Sequence, residues 1–151
     1  MDIVVLAAGL GTRMKSKLPK VLHCIFDIPI IDYVIEIAKT LNHKNIFVVL
    51  NPSLNKVKDH LSKYDNINFV FQSEPKGTAH ALLSVLPHLK AKIMLILNGD
   101  TPLLKTESLS NLIILYYENK LDMAIFSFKL VKVNHYGRIL RDEKGNVRKI
   151  V

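Results

Sequence analysis

The sequence predicts an α/β fold in which a mainly parallel sheet carries helices on both faces. Short, almost continuously apolar segments recur along the chain, as is typical of strands buried on both faces. Segments with apolar residues at helical spacing separate them, and this alternation of strand and helix favours a doubly wound sheet. With 151 residues, 49% of them hydrophobic and 23% charged, the chain has the size and composition of one globular domain.

The predicted elements follow one another in a regular order. Four apolar runs predict buried strands, at residues 3–6, 46–50, 67–71 and 93–97. Helical stripes follow these strands, at residues 30–41, 54–61, 78–86 and 106–116. Residues 123–128 and 136–151 predict further strands with no helix between them, and residues 144–146 predict a hairpin turn in the second segment. We therefore expect a mixed or antiparallel edge at this end of the sheet.

Charge and composition narrow the classes of partner. The net charge is +8, but the lysines are scattered, and no zinc-finger spacing, RNA-binding sheet motif or aromatic-interleaved basic helix accompanies them, so we predict no nucleic-acid partner. The chain enters a strand at once, with Asp2 where a signal peptide carries positive charge, and no apolar segment approaches membrane-spanning length. We predict a cytoplasmic protein without a membrane partner. Cys24, the only cysteine, is predicted to be a small buried apolar side chain.

A glycine-rich loop follows the first strand, where the backbone must turn. Gly9 and Gly11 let backbone N–H groups converge on one point and let an anion approach without a Cβ in the way. Arg13 and Lys20 bring positive charge to the same segment, so the loop is a candidate triphosphate site. The alternative is a plain turn beside solvated basic residues, because the sequence has neither the P-loop pattern nor the third glycine of the dinucleotide fingerprint.

Two further segments follow strands in the positions where parallel sheets bind ligands. Gln72 ends the third strand and leads to Gly77 and Thr78, which open a helix whose N-terminus can bind a base or a phosphate. The alternative is that Thr78 only caps that helix. Asp100 follows the fourth strand in an Asn-Gly-Asp segment, and an isolated carboxylate there is a natural Mg²⁺ ligand. The alternative is a tight turn that Asp100 caps.

These motifs together resemble the sugar-1-phosphate nucleotidyltransferase family. The match consists of Leu-Ala-Ala-Gly-Leu-Gly-Thr-Arg-Met at residues 6–14, Leu-Pro-Lys-Val-Leu-His at 18–23, Gln-x-x-x-x-Gly-Thr-x-His-Ala at 72–81, Gly-Asp-x-Pro-Leu at 99–103 and Tyr-Gly-Arg-Ile at 136–139. Residues 18–23 are most similar to the N-acetylglucosamine-1-phosphate uridylyltransferases of the family. The resemblance implies a Rossmann-like nucleotidyltransferase fold, with residues 1–151 forming the larger N-terminal part of one such domain, incomplete at its C-terminal edge.

The resemblance also implies a role for each site residue. Arg13 and Lys20 act catalytically on the triphosphate, Asp100 binds Mg²⁺, and Gly137 lies against the sugar. Gly137 has an alternative interpretation as a glycine bulge in a strand. The residues that the resemblance assigns to the nucleotide are Leu6, Ala7, Ala8, Gly9, Gly11, Thr12, Gln72, Gly77 and Thr78. Within this set, Gln72 and Gly77 read the uracil edge.

The implied reaction is uridylyl transfer from UTP to N-acetylglucosamine-1-phosphate, with Mg²⁺ as cofactor and UDP-N-acetylglucosamine and pyrophosphate as products. Family members continue past the strand that ends here at Val151 and often carry an acetyltransferase β-helix domain, so we expect a shortened form without that domain. A homo-oligomer, or a separate chain that completes the domain, is the implied protein partner. Three alternatives remain: a nucleotide-binding fragment without turnover, a transferase for another hexose-1-phosphate, and an interaction or nucleic-acid-binding protein that uses the positive charge.

Overall fold

The computed structural model describes residues 1–74, 76–129 and 137–151. The strands of this described part are β1 (Asp2–Leu6), β2 (Cys24–Ile25), β3 (Ile28–Pro29), β4 (Ile46–Leu50), β5 (Ile67–Phe71), β6 (Met94–Asn98), β7 (Ile139–Arg141) and β8 (Val147–Ile150). Its α-helices are α1 (Ile30–Thr40), α2 (Asn55–Leu61), α3 (Thr78–Val85) and α4 (Thr106–Glu118). The four predicted apolar runs are all strands, and the four helical stripes are all helices.

The long strands form one four-stranded parallel sheet in the order β5-β4-β1-β6. β1 pairs with β4 on one side and with β6 on the other, so that Ile3 lies between Ile46 and Leu95. The chain thus adds β4 and β5 on one side of β1 and then places β6 on the other side. Because the connections diverge between β1 and β6, a crevice forms at the carboxyl ends of these strands, where open α/β sheets bind ligands.

The core consists of two apolar layers, one on each face of the sheet. Ile3 of β1 belongs to a layer that contains residues of α1, α2 and α4, among them Val57 and Leu109. Val4, the next residue, belongs to the opposite layer, where Val85 of α3 packs. Helices on both faces of a parallel sheet confirm the predicted α/β fold. None of the helices in the described ranges has the length and apolar character that a membrane crossing requires.

The end of the chain departs from the prediction in two ways. The predicted strand at residues 123–128 is wrong, because this stretch forms no strand. Its side chains lie largely in solvent, with Met123 63% and Phe126 55% exposed. The apolar composition of a segment does not by itself make it a strand, because a strand also needs a neighbour to pair with. The hairpin is confirmed, since β7 and β8 pair antiparallel, but the two strands form a sheet of their own and are not an edge of the main sheet.

A small hairpin that the apolar pattern does not predict precedes α1. Its strands β2 and β3 pair antiparallel, and Phe26 and Asp27 between them have φ values of 47° and 63°, the left-handed conformation of both central residues in a type I′ turn. Cys24 lies on this hairpin and is exposed, so its predicted burial is wrong. A hairpin of two-residue strands is too small to bury the side chain of Cys24. Such strands are also too short to show the alternating apolar pattern by which a strand is recognised in a sequence.

A buried carboxylate holds the amino end of the sheet together. Asp2 is 0% exposed, and its carboxylate accepts hydrogen bonds from Asn45 Nδ2 (2.8 Å) and from the N–H groups of Lys90 (2.7 Å) and Ala91 (2.8 Å). Burial raises the pKa of Asp2, but the hydrogen bonds to its ionised form outweigh burial, so the pKa lies below its ordinary value. The charge of Asp2 therefore stabilises the fold, at the end of the sheet opposite the crevice.

Candidate functional site

A cleft of about 700 Å³ opens at the carboxyl ends of β1, β5 and β6. Its lining includes every predicted site residue except Gly137, namely Leu6, Ala7, Ala8, Gly9, Gly11, Thr12, Arg13, Lys20, Gln72, Gly77, Thr78 and Asp100. The fold thus brings three segments that are distant in sequence to one place. Residues 9–14 of the glycine loop, with Lys20 and Asp100, form what we call the phosphate end of the cleft, and residues 72–78 form what we call the base end.

The glycine loop makes a left-handed turn after β1. Gly11 has a φ of 63°, and a Cβ built on it would lie 2.8 Å from the Cβ of Lys20, closer than side chains approach. The carbonyl of Gly11 accepts the N–H of Met14 (2.9 Å), at the end of a 3-10 turn over Thr12–Met14. Gly11 is therefore needed both for the turn itself and for the close contact that places Lys20 beside the loop.

Arg13 lies in the middle of that 3-10 turn and lines the cleft. Its side chain is exposed, and its guanidinium forms no ion pair or hydrogen bond with the described residues. An arginine in this state can offer a planar set of N–H donors to an anion without first giving up a protein partner. The loop thus carries one cation that is available to a phosphate group.

Lys20 and Asp100 form an ion pair across the cleft. The Nζ of Lys20 donates to Oδ2 of Asp100 at 2.6 Å, and the two side chains are 42% and 36% exposed. Lys20 is predicted to contact the triphosphate and Asp100 to bind a metal ion. In this structure the two side chains bind each other instead. Because the pair is partly in solvent, its attraction is screened, and a bound ligand can replace it at small cost.

The segment around Asp100 approaches β1 closely. The N–H of Gly99 donates to the carbonyl of Leu6 (2.9 Å), and a Cβ at Gly99 would lie 3.1 Å from that same oxygen. The turn that follows is closed by Thr101, whose N–H and hydroxyl both donate to the carbonyl of Asn98 (3.2 and 2.8 Å). The turn therefore closes without the carboxylate of Asp100, which argues against the alternative that Asp100 only caps it.

At the base end, a buried amide is held by two hydrogen bonds. Gln72 is 3% exposed, and its N–H donates to the carbonyl of Leu50 (2.8 Å), which fixes its backbone to β4. Its Nε2 donates to the carbonyl of Gly77 (3.1 Å) and lies 3.1 Å from Nδ1 of His80. Thr78 is the first residue of α3, and its side chain does not cap the helix. The alternative of a simple helix cap is therefore not what the structure shows.

Gly137 lies outside the cleft, just before the β7–β8 hairpin. A Cβ on Gly137 would have Ile150 Cγ2 and the carbonyl of Val151 at 3.5 Å. The irregularity in this hairpin falls between Leu140 and Arg141, so the alternative of a bulge at Gly137 is not seen either. The sugar contact stays a prediction. The adjoining Tyr136 of the motif lies outside the described residues.

Sequence reasoning assigned no role to one residue that contacts the base end. His80 belongs to the matched segment at residues 72–81 without a predicted role of its own, yet its Nδ1 lies 3.1 Å from Nε2 of Gln72, a predicted base-reading residue. Gly77 and His80 are three residues apart, a spacing that places two residues of a helical turn on the same side, but this spacing does not indicate the contact with Gln72. Asn98, Met14 and the apolar Val21 also line the cleft without having been predicted as site residues.

With this geometry established, comparison with known proteins defines the class. Residues 3–139 match the family model of the MobA-like NTP transferase domain. The chain belongs to this nucleotidyltransferase family.

Individual relatives specify the similarity further. The chain is 62% identical over 151 residues to the Bifunctional protein GlmU of Thermodesulfovibrio yellowstonii and 42% identical over 153 aligned positions to that of Prochlorococcus marinus. Both alignments cover 100% of this chain, but only 33% and 34% of the relatives. The chain thus spans about a third of the length of the curated relatives that it matches.

Solved structures agree on the fold. HddC from Yersinia pseudotuberculosis superposes with a TM-score of 0.74 at 24% identity, over 99% of this chain and 68% of that one. Rv0371c from Mycobacterium tuberculosis gives a TM-score of 0.65 at 21% identity, over 76% of this chain and 59% of the other. At these identities the likeness supports the fold alone.

Proposed function

We propose that the chain binds UTP in the cleft and transfers its uridylyl group to N-acetylglucosamine-1-phosphate, releasing pyrophosphate. The observation that carries this proposal is the joint arrangement of a fixed amide at the base end with Arg13, Lys20 and Asp100 at the phosphate end. Membership of a nucleotidyltransferase family supplies the reaction class. The choice of sugar phosphate comes from the resemblance of residues 18–23 to the N-acetylglucosamine-1-phosphate uridylyltransferases.

The base end supports uracil through the polarity of its groups. Gln72 uses Nε2 for protein contacts, while its Oε1 accepts no hydrogen bond from the described residues. The N–H of Gly77 likewise donates to none of them. An acceptor beside a donor complements the N3–H and O4 of uracil, with N3–H at Gln72 and O4 at Gly77. Cytosine and adenine carry an acceptor nitrogen where uracil has its N3–H, so each would leave Gln72 Oε1 facing another lone pair.

The phosphate end supports in-line transfer. In this reaction an oxygen of the sugar phosphate attacks the α-phosphorus of UTP, a new P–O bond forms, and the bond to the leaving pyrophosphate breaks. No side chain has to form a covalent bond, so the work of the protein is positioning and charge neutralisation. Among the described residues that line the cleft, Arg13 and Lys20 are the cations that can meet the triphosphate, and Gly11 gives the backbone room to approach it.

The donors at this end fit Mg²⁺. In the described part of the chain no group of three or more His, Cys, Asp or Glu side chains is placed to hold a metal ion by itself. Mg²⁺ does not need such a group, since it commonly takes one or two carboxylates together with substrate phosphates and water. Asp100 is the carboxylate that would hold it, and the bound ion would neutralise charge on the phosphates. Lys20 must release Asp100 for this, and its Nζ then becomes available to the triphosphate.

Pyrophosphate release tests this proposal. We would join the chain to the remaining part of the Thermodesulfovibrio relative, to which it is 62% identical, and supply UTP, Mg²⁺ and N-acetylglucosamine-1-phosphate. Asp100→Asn should lower turnover by about a hundredfold or more, the scale of losing one transition-state contact. Asp59→Asn, an exposed carboxylate on α2, is the matched control and should change little. Faster turnover with glucose-1-phosphate would overturn the sugar assignment.

A second candidate function is nucleotide binding without turnover. It is favoured by the position of Gly137, which leaves the predicted sugar contact outside the cleft. In that case the chain alone should bind UTP but release little or no pyrophosphate, while the joined protein of the preceding experiment should turn over. Robust turnover by the chain alone would exclude this candidate.

A further inference from the structure

We propose that His80 sets the pyrimidine specificity of the cleft by fixing the orientation of the Gln72 amide, so that uracil is accepted and cytosine is rejected. This inference rests on the proposed binding of UTP and goes beyond it, because it assigns specificity to a residue that does not line the cleft. His80 acts through Gln72 and is therefore a positioning residue.

The first step is that both N–H donors of the Gln72 amide are engaged. Nε2 lies 3.1 Å from the carbonyl of Gly77 and 3.1 Å from Nδ1 of His80. The Gly77 carbonyl also accepts the N–H of Ala81 (3.1 Å), so the first turn of α3 holds it in place. A primary amide has two donors, and these two contacts use both. What remains for a ligand is Oε1, an acceptor.

The second step is that the opposite orientation of the amide is disfavoured. Turning the amide by 180° would place Oε1 against the Gly77 carbonyl and against His80 Nδ1, where the contacts would be acceptor against acceptor. Gln72 is 3% exposed, so water cannot readily replace the lost hydrogen bonds. The Gly77 carbonyl and His80 together therefore decide which end of the amide faces the cleft.

The third step assigns the proton of the imidazole. A carbonyl oxygen can only accept, so the contact with Gly77 identifies the donor atom as Nε2 of Gln72. His80 Nδ1 must then accept the second N–H, which requires a neutral ring with its own proton on Nε2. If Nδ1 carried the proton, two donors would face each other across this contact. Uracil recognition thus depends on one tautomer of His80.

The fixed orientation of the Gln72 amide selects between the two pyrimidines. Uracil presents an N–H at ring position 3, which Gln72 Oε1 can accept. Cytosine presents a nitrogen without a proton there, so the lone pair of this nitrogen would face a lone pair of Gln72 Oε1. A buried mismatch of this kind disfavours a ligand more strongly than the loss of one contact does. Without His80 only the Gly77 carbonyl opposes the turned amide, so turning costs less and Nε2 can donate to cytosine.

The test compares UTP and CTP on three forms of the chain, each titrated calorimetrically in Mg²⁺. His80→Leu removes the acceptor, while His80→Asn restores one, because an asparagine Oδ1 can occupy the place of Nδ1. The wild type should prefer UTP. His80→Leu should reduce the UTP-to-CTP affinity ratio by about tenfold, largely through tighter binding of CTP, and His80→Asn should keep most of the wild-type ratio.

A merely structural role of His80 would weaken both nucleotides by the same factor and leave the ratio unchanged, and that result would overturn the proposal. It would also be overturned if His80→Asn lost selectivity as fully as His80→Leu. These failures leave UTP binding itself intact. A wild type that does not prefer UTP over CTP would instead contradict the proposed function, and with it this inference.

The wild type provides a measurement that does not depend on a variant folding. Nitrogen-detected NMR of the imidazole of His80 should show Nε2 protonated and Nδ1 bare, both with and without UTP. A ring whose proton resides on Nδ1 would overturn the proposal, because Nδ1 could not then accept the N–H of Gln72.

Discussion

The two ends of the cleft differ in how they are held before a ligand binds. At the base end, Gln72 is buried and its two donors contact Gly77 and His80, which leaves one acceptor in a fixed direction. At the phosphate end, Lys20 and Asp100 are partly exposed and neutralise each other at 2.6 Å. The base end therefore has its hydrogen-bonding groups in place before a ligand binds. At the phosphate end, Lys20 and Asp100 must give up their contact with each other before either can contact a ligand.

This difference corresponds to the two kinds of recognition that a nucleotide requires. A base is read by the direction of a few hydrogen bonds, and discrimination fails if the protein groups can rotate, so a buried and fully bonded amide is suited to it. A triphosphate with its metal ion brings many charges at once and tolerates flexible partners. Under the proposed function, phosphate and metal ion would replace the partly exposed ion pair of Lys20 and Asp100.

Arg13→Ala should give the largest loss at the phosphate end, because Arg13 is the cation there that has no protein partner among the described residues. A charge-assisted hydrogen bond contributes roughly 1.5–3 kcal/mol, which corresponds to a loss of about 10- to 150-fold in UTP affinity. Calorimetric titration measures it. Lys56→Ala is the control, since Lys56 lies exposed on α2 away from the cleft lining. If the two variants bound UTP alike, the loop would be only a turn.

Gly11→Ala should weaken UTP binding by roughly tenfold, because an added Cβ 2.8 Å from the Cβ of Lys20 forces Lys20 away from the cleft. We also expect the free energy of unfolding to fall by about 1–2 kcal/mol in denaturant titrations. Gly145→Ala is the matched control, since Gly145 also has a positive φ of 83° but open space at its Cβ. It should lose stability and keep UTP affinity, and a binding loss equal to that of Gly11→Ala would contradict this account of Lys20.

Lys20→Met should produce the smallest of the three factors in its binding of metal ion alone, and it should sharpen the comparison most. Removing the lysine frees Asp100, so the affinity for Mn²⁺ alone, measured by electron paramagnetic resonance, should rise about two- to fivefold, the scale of an exposed ion pair. UTP affinity should fall in the same variant, because the triphosphate loses a cation. Asp100→Asn should abolish the rise. Weaker Mn²⁺ binding in Lys20→Met would show that Lys20 does not compete with the metal for Asp100.

The sequence predicts most of the sheet because its strands are buried on both faces. β4 and β5 coincide with the predicted apolar runs, and β6 is shifted by one residue. The prediction fails at residues 123–128, where an apolar run is largely exposed and forms no strand. The composition of a segment indicates its tendency to form a strand, but it does not show whether another strand lies beside it. The β2–β3 hairpin was missed because two-residue strands have no readable period.

The site was predictable as a set of residues but not as a set of interactions. Motif spacing found the glycine loop, Gln72 and Asp100, and the fold places them on one cleft. The pairing of Lys20 with Asp100 joins positions 80 residues apart, and no local pattern encodes it. The contact of His80 with Gln72 depends on how α3 packs beside β5, which only the tertiary structure shows.

The measurement that tests the central claim most directly is a pair of titrations of the chain with UTP and with ATP, both in Mg²⁺. The triphosphate and the metal ion are common to the two ligands, so any difference in affinity reports the base end alone. We predict tighter binding of UTP by about tenfold or more, because Gln72 Oε1 is fixed to accept the ring N–H of uracil, whereas adenine carries a bare ring nitrogen at the corresponding position. Equal affinities for UTP and ATP would contradict the account.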